Sequence, residues 1–149
     1  MNRRRRKKLA GRLVTAASCG DHAGVRSLLR AGADANTRDA EGTTPLYAAA
    51  VNGDTAVVRT LLAAGAAPDT ESAGAGAEGT PLCAAACWGH TGTVRELLAH
   101  GADPALREDA GTGLTPLEWA LRVPHPQTAE ALRRLPRPVT ERRSGPAGA

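Results

Sequence analysis

Residues 44–67 read TPLYAAAVNGDTAVVRTLLAAGAA, and residues 80–103 read TPLCAAACWGHTGTVRELLAHGAD. Laid over one another, they share a Thr-Pro-Leu start, an Ala run, a Gly followed by Asp or His, and a Val-Arg-x-Leu-Leu segment ending in Gly-Ala. Thr44 and Thr80 are residues whose side-chain oxygen caps a helix. The Pro after each falls at the first helical position, where a backbone N–H is not needed. The Ala run predicts a short helix that Gly53 and Gly89 end. In the second half, Val58, Leu61 and Leu62 stand at i, i+3 and i+4, which marks one buried face of a second helix and leaves Arg59 and Thr60 towards water. Gly65 and Gly101 stop that helix.

Working outward, GVRSLLRAGAD (24–34) supplies an earlier second half and TPLEWAL (115–121) a later first half. Gly20, Gly53 and Gly89 are 33 and 36 residues apart, and Thr80 and Thr115 are 35 apart. The basal period is therefore 33, with insertions of three and two. A helix pair of this size cannot bury its apolar face alone, so successive pairs must stack to make a core. In four-fold register these motifs resemble the ankyrin repeat over about residues 11–135. The resemblance implies an all-α solenoid of stacked helix-turn-helix units with projecting hairpin-like finger loops. The expected units are about 11–38, 39–71, 72–107 and 108–135, between a basic disordered tail at 1–10 and a Pro/Arg-rich disordered tail at 136–149. Arg outnumbers Lys 17 to 2, a bias typical of G+C-rich bacterial coding.

Composition agrees with close helix stacking. Of 149 residues 31 are Ala, and the aromatics are two Trp, one Tyr and no Phe. Runs of β-branched and aromatic residues, which a sandwich or barrel needs, are missing. No apolar stretch approaches the ~20 residues of a membrane span. The first 21 residues are Arg-rich but lack the apolar segment of a secretory signal, and the repeat already begins inside them, which disfavours a transit peptide. Three cysteines make no disulfide framework, which fits a reducing cytoplasm. The net charge of +4 is segregated. Residues 1–12 hold seven cations and no acid, while residues 13–132 hold 7 basic against 14 acidic residues.

No catalytic pattern is present: no His-Glu-x-x-His, no Gly-x-Ser-x-Gly and no phosphate-binding Gly-Lys-Ser/Thr. Cys83, Cys87 and His90 form C-x3-C-x2-H, but structural zinc favours tighter pairs, so no metal or cofactor is expected. The resemblance implies instead a non-catalytic protein-binding module, acting as a monomer, whose partner lies on the concave face and fingers. Carried over by position, the contact residues are Glu41, Thr43, Val51, Asn52, Cys87, Trp88, Leu114, Arg122 and Val123, with Ser18 and Cys19 in the first unit. The second inserted finger adds Glu108 and Asp109. Trp88 is the strongest candidate, because Trp is over-represented among residues that dominate binding energy. Trp119 falls at an inward position and is expected to fill core. The acidic body favours a partner with a basic surface. A nonspecific nucleic-acid or anionic-surface contact through the basic N-terminal tail is the alternative, ranked below the protein partner.

Two departures from the family pattern carry further expectations. The His that usually follows Thr-Pro-Leu is replaced by Val14, Tyr47, Cys83 and Glu118, which predicts a weaker hydrogen-bond network between fingers. The finger TESAGAGAEG (70–79) is so rich in small residues that it is expected to hold no fixed shape by itself.

Overall fold

The computed structural model describes residues 2–74 and 77–134. The chain forms α1 (Arg3–Ser18), α2 (His22–Arg30), α3 (Pro45–Asn52), α4 (Thr55–Ala63), β1 (Ser72–Gly74), β2 (Ala77–Gly79), α5 (Pro81–Cys87), α6 (Thr91–Ala99), α7 (Glu108–Gly111), α8 (Pro116–Arg122) and α9 (Pro126–Arg133). Helices α1, α3, α5 and α8 line up side by side as one layer, and α2, α4, α6 and α9 as the other. This is the stacked all-α solenoid that the period implied. Among the described residues no helix is long and apolar enough to cross a membrane.

The predicted caps are in place. The hydroxyl oxygens of Thr44 and Thr80 accept from the backbone N–H of Tyr47 and Cys83 at 3.2 and 3.1 Å. Thr115 goes further and completes a reciprocal capping box with Glu118. Gly20, Gly53 and Gly89 occupy the left-handed region, with φ of 68°, 68° and 74°. Their lack of a side chain has a second use. A Cβ on Gly53 would overlap the His90 ring, and one on Gly89 would meet His125 in the same way. Those rings instead reach back one unit: His90 Nε2 lies 3.0 Å from the Val51 carbonyl and His125 Nε2 3.0 Å from that of Cys87. Gly53 and Gly89 thus each turn the chain and admit the next unit's histidine, while a Cβ on Gly20 would meet Asp54 instead.

The core runs the length of the stack. The inner layer contributes Ala49, Ala50, Ala85 and Ala86, and the outer layer Val57, Val58, Leu61, Val94 and Leu97, all fully buried. Alanine between neighbouring helices lets their backbones approach, so the small area per residue is offset by close contact. Polar side chains stitch successive units alongside this core: His22 to Thr60, Thr55 to buried Thr93, Thr91 to buried Thr128, and Asn36 to both Gly65 and Ala67.

Three expectations are corrected here. First, the basic run at residues 1–10 is not a disordered tail where it is described, because α1 starts at Arg3. Asn2 caps it through Oδ1 on the Arg4 N–H at 3.2 Å, Arg and Lys are good helix formers, and buried Leu9 and Ala10 anchor the following turn. The proposed tail at 136–149 lies outside the described residues. Second, the finger at 70–79 is an antiparallel pair, with Ser72 opposite Gly79 and Ala73 opposite Glu78. Its shape is imposed by the preceding unit: Ala73 N–H donates to the Gly42 carbonyl at 3.1 Å and Thr44 N–H to the Ser72 hydroxyl at 3.1 Å. Third, two replaced histidines still link fingers. The Tyr47 hydroxyl donates to the Glu78 carbonyl at 3.1 Å, and the Cys83 thiol to that of Leu114 at 3.6 Å. Both span 31 residues, so different side chains fill one role in the period.

Candidate functional site

The ends of the inner helices and the bases of the fingers form a groove of about 400 Å³. Its walls come from three units: Val14 and Ser18 of α1, Thr43, Tyr47, Val51 and Asn52 around α3, and Trp88 at the end of α5. Trp88 is the C-cap of its helix, and Gly89 follows it in the left-handed region. That turn carries the indole out of the Ala-rich layer, leaving it 62% exposed. It is the most exposed large apolar side chain of the described residues. Asn52 closes one end, its amide donating to the Ser18 carbonyl and, at 3.3 Å, to that of Ala48. Asp39 stands at the finger side. One carboxylate oxygen accepts from the N–H groups of Glu41 and Thr43 at 3.0 and 2.8 Å, which fixes the base of the first finger.

Of the residues expected to meet a partner, Thr43, Val51, Asn52 and Trp88 converge on this groove. Glu41 is exposed on the finger beyond it. Cys87 is half-buried, and its carbonyl is taken by His125. Leu114 is half-buried, and its carbonyl accepts from the Cys83 thiol. Arg122 and Val123 form a separate exposed edge with Leu121, where the Arg122 guanidinium lies 6.0 Å from the Trp119 ring centre. Position in the period missed Tyr47, Asp39 and Leu121. Tyr47 could have been found, since it stands where a linking side chain is expected and is the chain's one tyrosine.

Glu108 requires a correction. It is half-buried rather than presented to a partner, and its Oε2 accepts from Trp119 Nε1 at 2.6 Å. The cause is local: Asp109 and Ala110 both adopt φ of 52°, a left-handed turn that folds the finger back so that Gly113 N–H donates to the Glu108 carbonyl at 2.8 Å. Burial pushes the Glu108 carboxyl above the usual carboxylate range, against the lowering effect of the indole bond. Trp119 packs on the core as expected. Asp109 remains exposed.

The fingers carry exposed acids, and the first also an exposed cation, Arg38. Glu41, Glu78 and Asp109 are exposed, and among the described residues none is in an ion pair. The nearby cation Arg107 is occupied by Glu118 in a two-bond contact of 2.9 and 3.0 Å. With the Thr115 N–H foremost and Arg107 next, that contact holds the Glu118 carboxyl below its ordinary range.

The cysteine pattern does not assemble a metal centre. Cys83 points its thiol at Leu114, whereas His90 bonds to Val51 in the preceding unit. Among the described residues no group of three or more His, Cys, Asp and Glu converges. Burial pushes the Cys83 thiol up to about 12 and raises that of Cys87 less far, while Cys19 is exposed. Only the thiolate alkylates readily. At pH 8, iodoacetamide should therefore modify Cys19 first, Cys87 more slowly, and Cys83 only after denaturation. Peptide mass spectrometry reads the order, and labelling of native Cys83 at the Cys19 rate would contradict it.

A family model for ankyrin repeats (3 copies) matches residues 13–108. A search of curated proteins gives no match. The matched span takes in α1 from Leu13 to the start of the Glu108 finger, hence every wall of the groove. From its period, its stacked helix pairs and this match, the chain belongs to the ankyrin repeat family.

Proposed function

We propose that this chain is a non-catalytic adaptor that holds one protein partner in the groove between Thr43, Val51, Asn52 and Trp88. Ankyrin repeats are generally protein–protein interaction modules, and the family is typically non-enzymatic. The observation that carries the reading is the exposed Trp88 indole at the groove wall. A large aromatic has no packing reason to stand in water beside a polar-rimmed cleft. The partner presents an apolar side chain to the indole and cations to Glu41, Glu78 and Asp109, since complementary charge steers encounter and fixes orientation. The division into four units, the monomeric state and a cytoplasmic site of action belong to the same reading.

The test is affinity capture from source lysate with wild type, Trp88→Ala, Val51→Arg and Arg95→Ala, scored by quantitative mass spectrometry. Arg95 is exposed on α6, in the opposite layer. A protein captured by wild type and Arg95→Ala but lost from both groove variants supports the site. Equal recovery by all four contradicts it.

A further inference from the structure

Folding changes the chemistry of the basic run. Arg3, Arg4, Arg5, Arg6, Lys7, Lys8 and Arg12 all lie on α1, which holds no acidic residue. An α-helix advances about 100° and 1.5 Å per residue, so six consecutive cations encircle the axis over about 9 Å. The second half of α1 is fixed to the body by Leu9, Leu13, Val14 and Ala17, which are buried, while Arg3 to Lys8 are all exposed. Among the described residues none of the seven is in an ion pair. Beside them, between α1 and α2, runs a cleft of about 590 Å³ whose charged lining is Lys7, Lys8 and Arg12 against one acid, Asp21.

We propose that α1 is a binding element for duplex DNA, its first two turns entering the major groove and its cations contacting phosphates on both flanking strands. The B-form major groove, about 12 Å wide, admits an α-helix, whereas the A-form RNA groove is too narrow and deep. Charge on every side of the rod matches phosphates on both sides of a groove. An anionic membrane asks for a different helix, cationic on one face and apolar on the other. The apolar face of α1 is consumed by the core. Five of the seven cations are Arg, whose planar fork grips phosphate oxygens in pairs. The body, with its excess of acidic residues over 13–132, is repelled by the polyanion, so the duplex approaches the α1 end alone. Binding is carried by the backbone and is indifferent to sequence. It leaves the Trp88 groove free and does not depend on the function proposed above.

Fluorescence anisotropy of the full chain with a labelled duplex of about 20 base pairs, from about 50 to 200 mM salt, tests this. For wild type, log affinity should fall with log salt at a slope of about −5, reflecting five to six neutralised phosphates. Arg4→Gln, Arg5→Gln and Lys8→Gln should each flatten the slope by about one, and together should weaken binding at 100 mM salt by roughly 100-fold or more. Arg26→Gln, an exposed cation on α2, should change neither quantity, and circular dichroism should show all variants folded. The proposal is overturned by an unchanged slope in the triple variant. Equal or tighter binding of a single strand of the same length also overturns it. So does tighter binding to phosphatidylserine vesicles than to duplex, which would assign α1 to a membrane surface.

Discussion

Leu61→Ala should cost about 3 kcal/mol of folding free energy, within the ~2–5 kcal/mol range for emptying a buried leucine site. Leu61 is fully buried in α4, which packs against α2, α3 and α6. The void cannot close easily, because half of the buried residues of α3, against which α4 packs, are Ala48 to Ala50, which have no spare side chain to swing in. In a stacked array each unit is stable largely through its neighbours. Loosening the second unit therefore also weakens the hold on α1 and α2. For a chain of this size the melting temperature should drop by roughly 10 °C. Arg59→Ala, two residues away, is the contrast. Arg59 makes a two-bond contact with Glu96 at 3.0 and 3.1 Å, but in open water, so its loss should leave the melting temperature close to that of wild type. Thermal unfolding by circular dichroism checks both. A fall of under about 3 °C for Leu61→Ala would mean the layers are not packed as described.

Trp88→Ala should weaken partner binding by about 2 kcal/mol, roughly 30-fold in dissociation constant. The fold should be left intact, since nearly two thirds of the side chain is in solvent. Binding energy in interfaces concentrates in a few aromatic anchors surrounded by near-neutral contacts, and the groove has one such exposed anchor. Thr43 and Val51 line it without offering comparable area, so Val51→Ala should cost under about 1 kcal/mol. Titration of the captured partner, with melting curves run alongside, separates a binding defect from a folding one. A Trp88→Ala protein that binds as tightly as wild type removes the anchor from the account.

The stacked architecture was legible because each unit repeats its own punctuation. Thr44-Pro45, Thr80-Pro81 and Thr115-Pro116 start helices by capping chemistry that depends on no other part of the chain, and Gly53 and Gly89 end them by backbone conformation. What was not legible depends on neighbours. The small-residue finger at 70–79 takes its strand form from hydrogen bonds to Gly42, Thr44 and Tyr47, a unit away in sequence. The basic run reads as a solvated tail because like charges repel. It is helical from Arg3 because Asn2 caps it and Leu9 ties it to the core.

The site divides in the same way. Thr43, Val51, Asn52 and Trp88 hold fixed places in the repeat, so position alone gathers them on one face. Glu108 looked like a surface acid beside Asp109, and two left-handed residues turned it inward onto Trp119. Nothing in the residue types of Asp109 and Ala110 announces that turn, since alanine disfavours it. Tyr47 and Cys83 were read as lost links and are links of another kind, because what the position needs is a donor of the right reach rather than an imidazole.

On the proposed function, the groove face and not the outer helices receives the protein partner. Hydrogen–deuterium exchange of the chain with and without the captured partner tests it most directly. Slowed exchange in residues 39–52 and 80–90, with α4 and α6 unchanged, is the predicted footprint. Protection confined to α4 and α6, with the segments around Val51 and Trp88 exchanging as in the free chain, would contradict it.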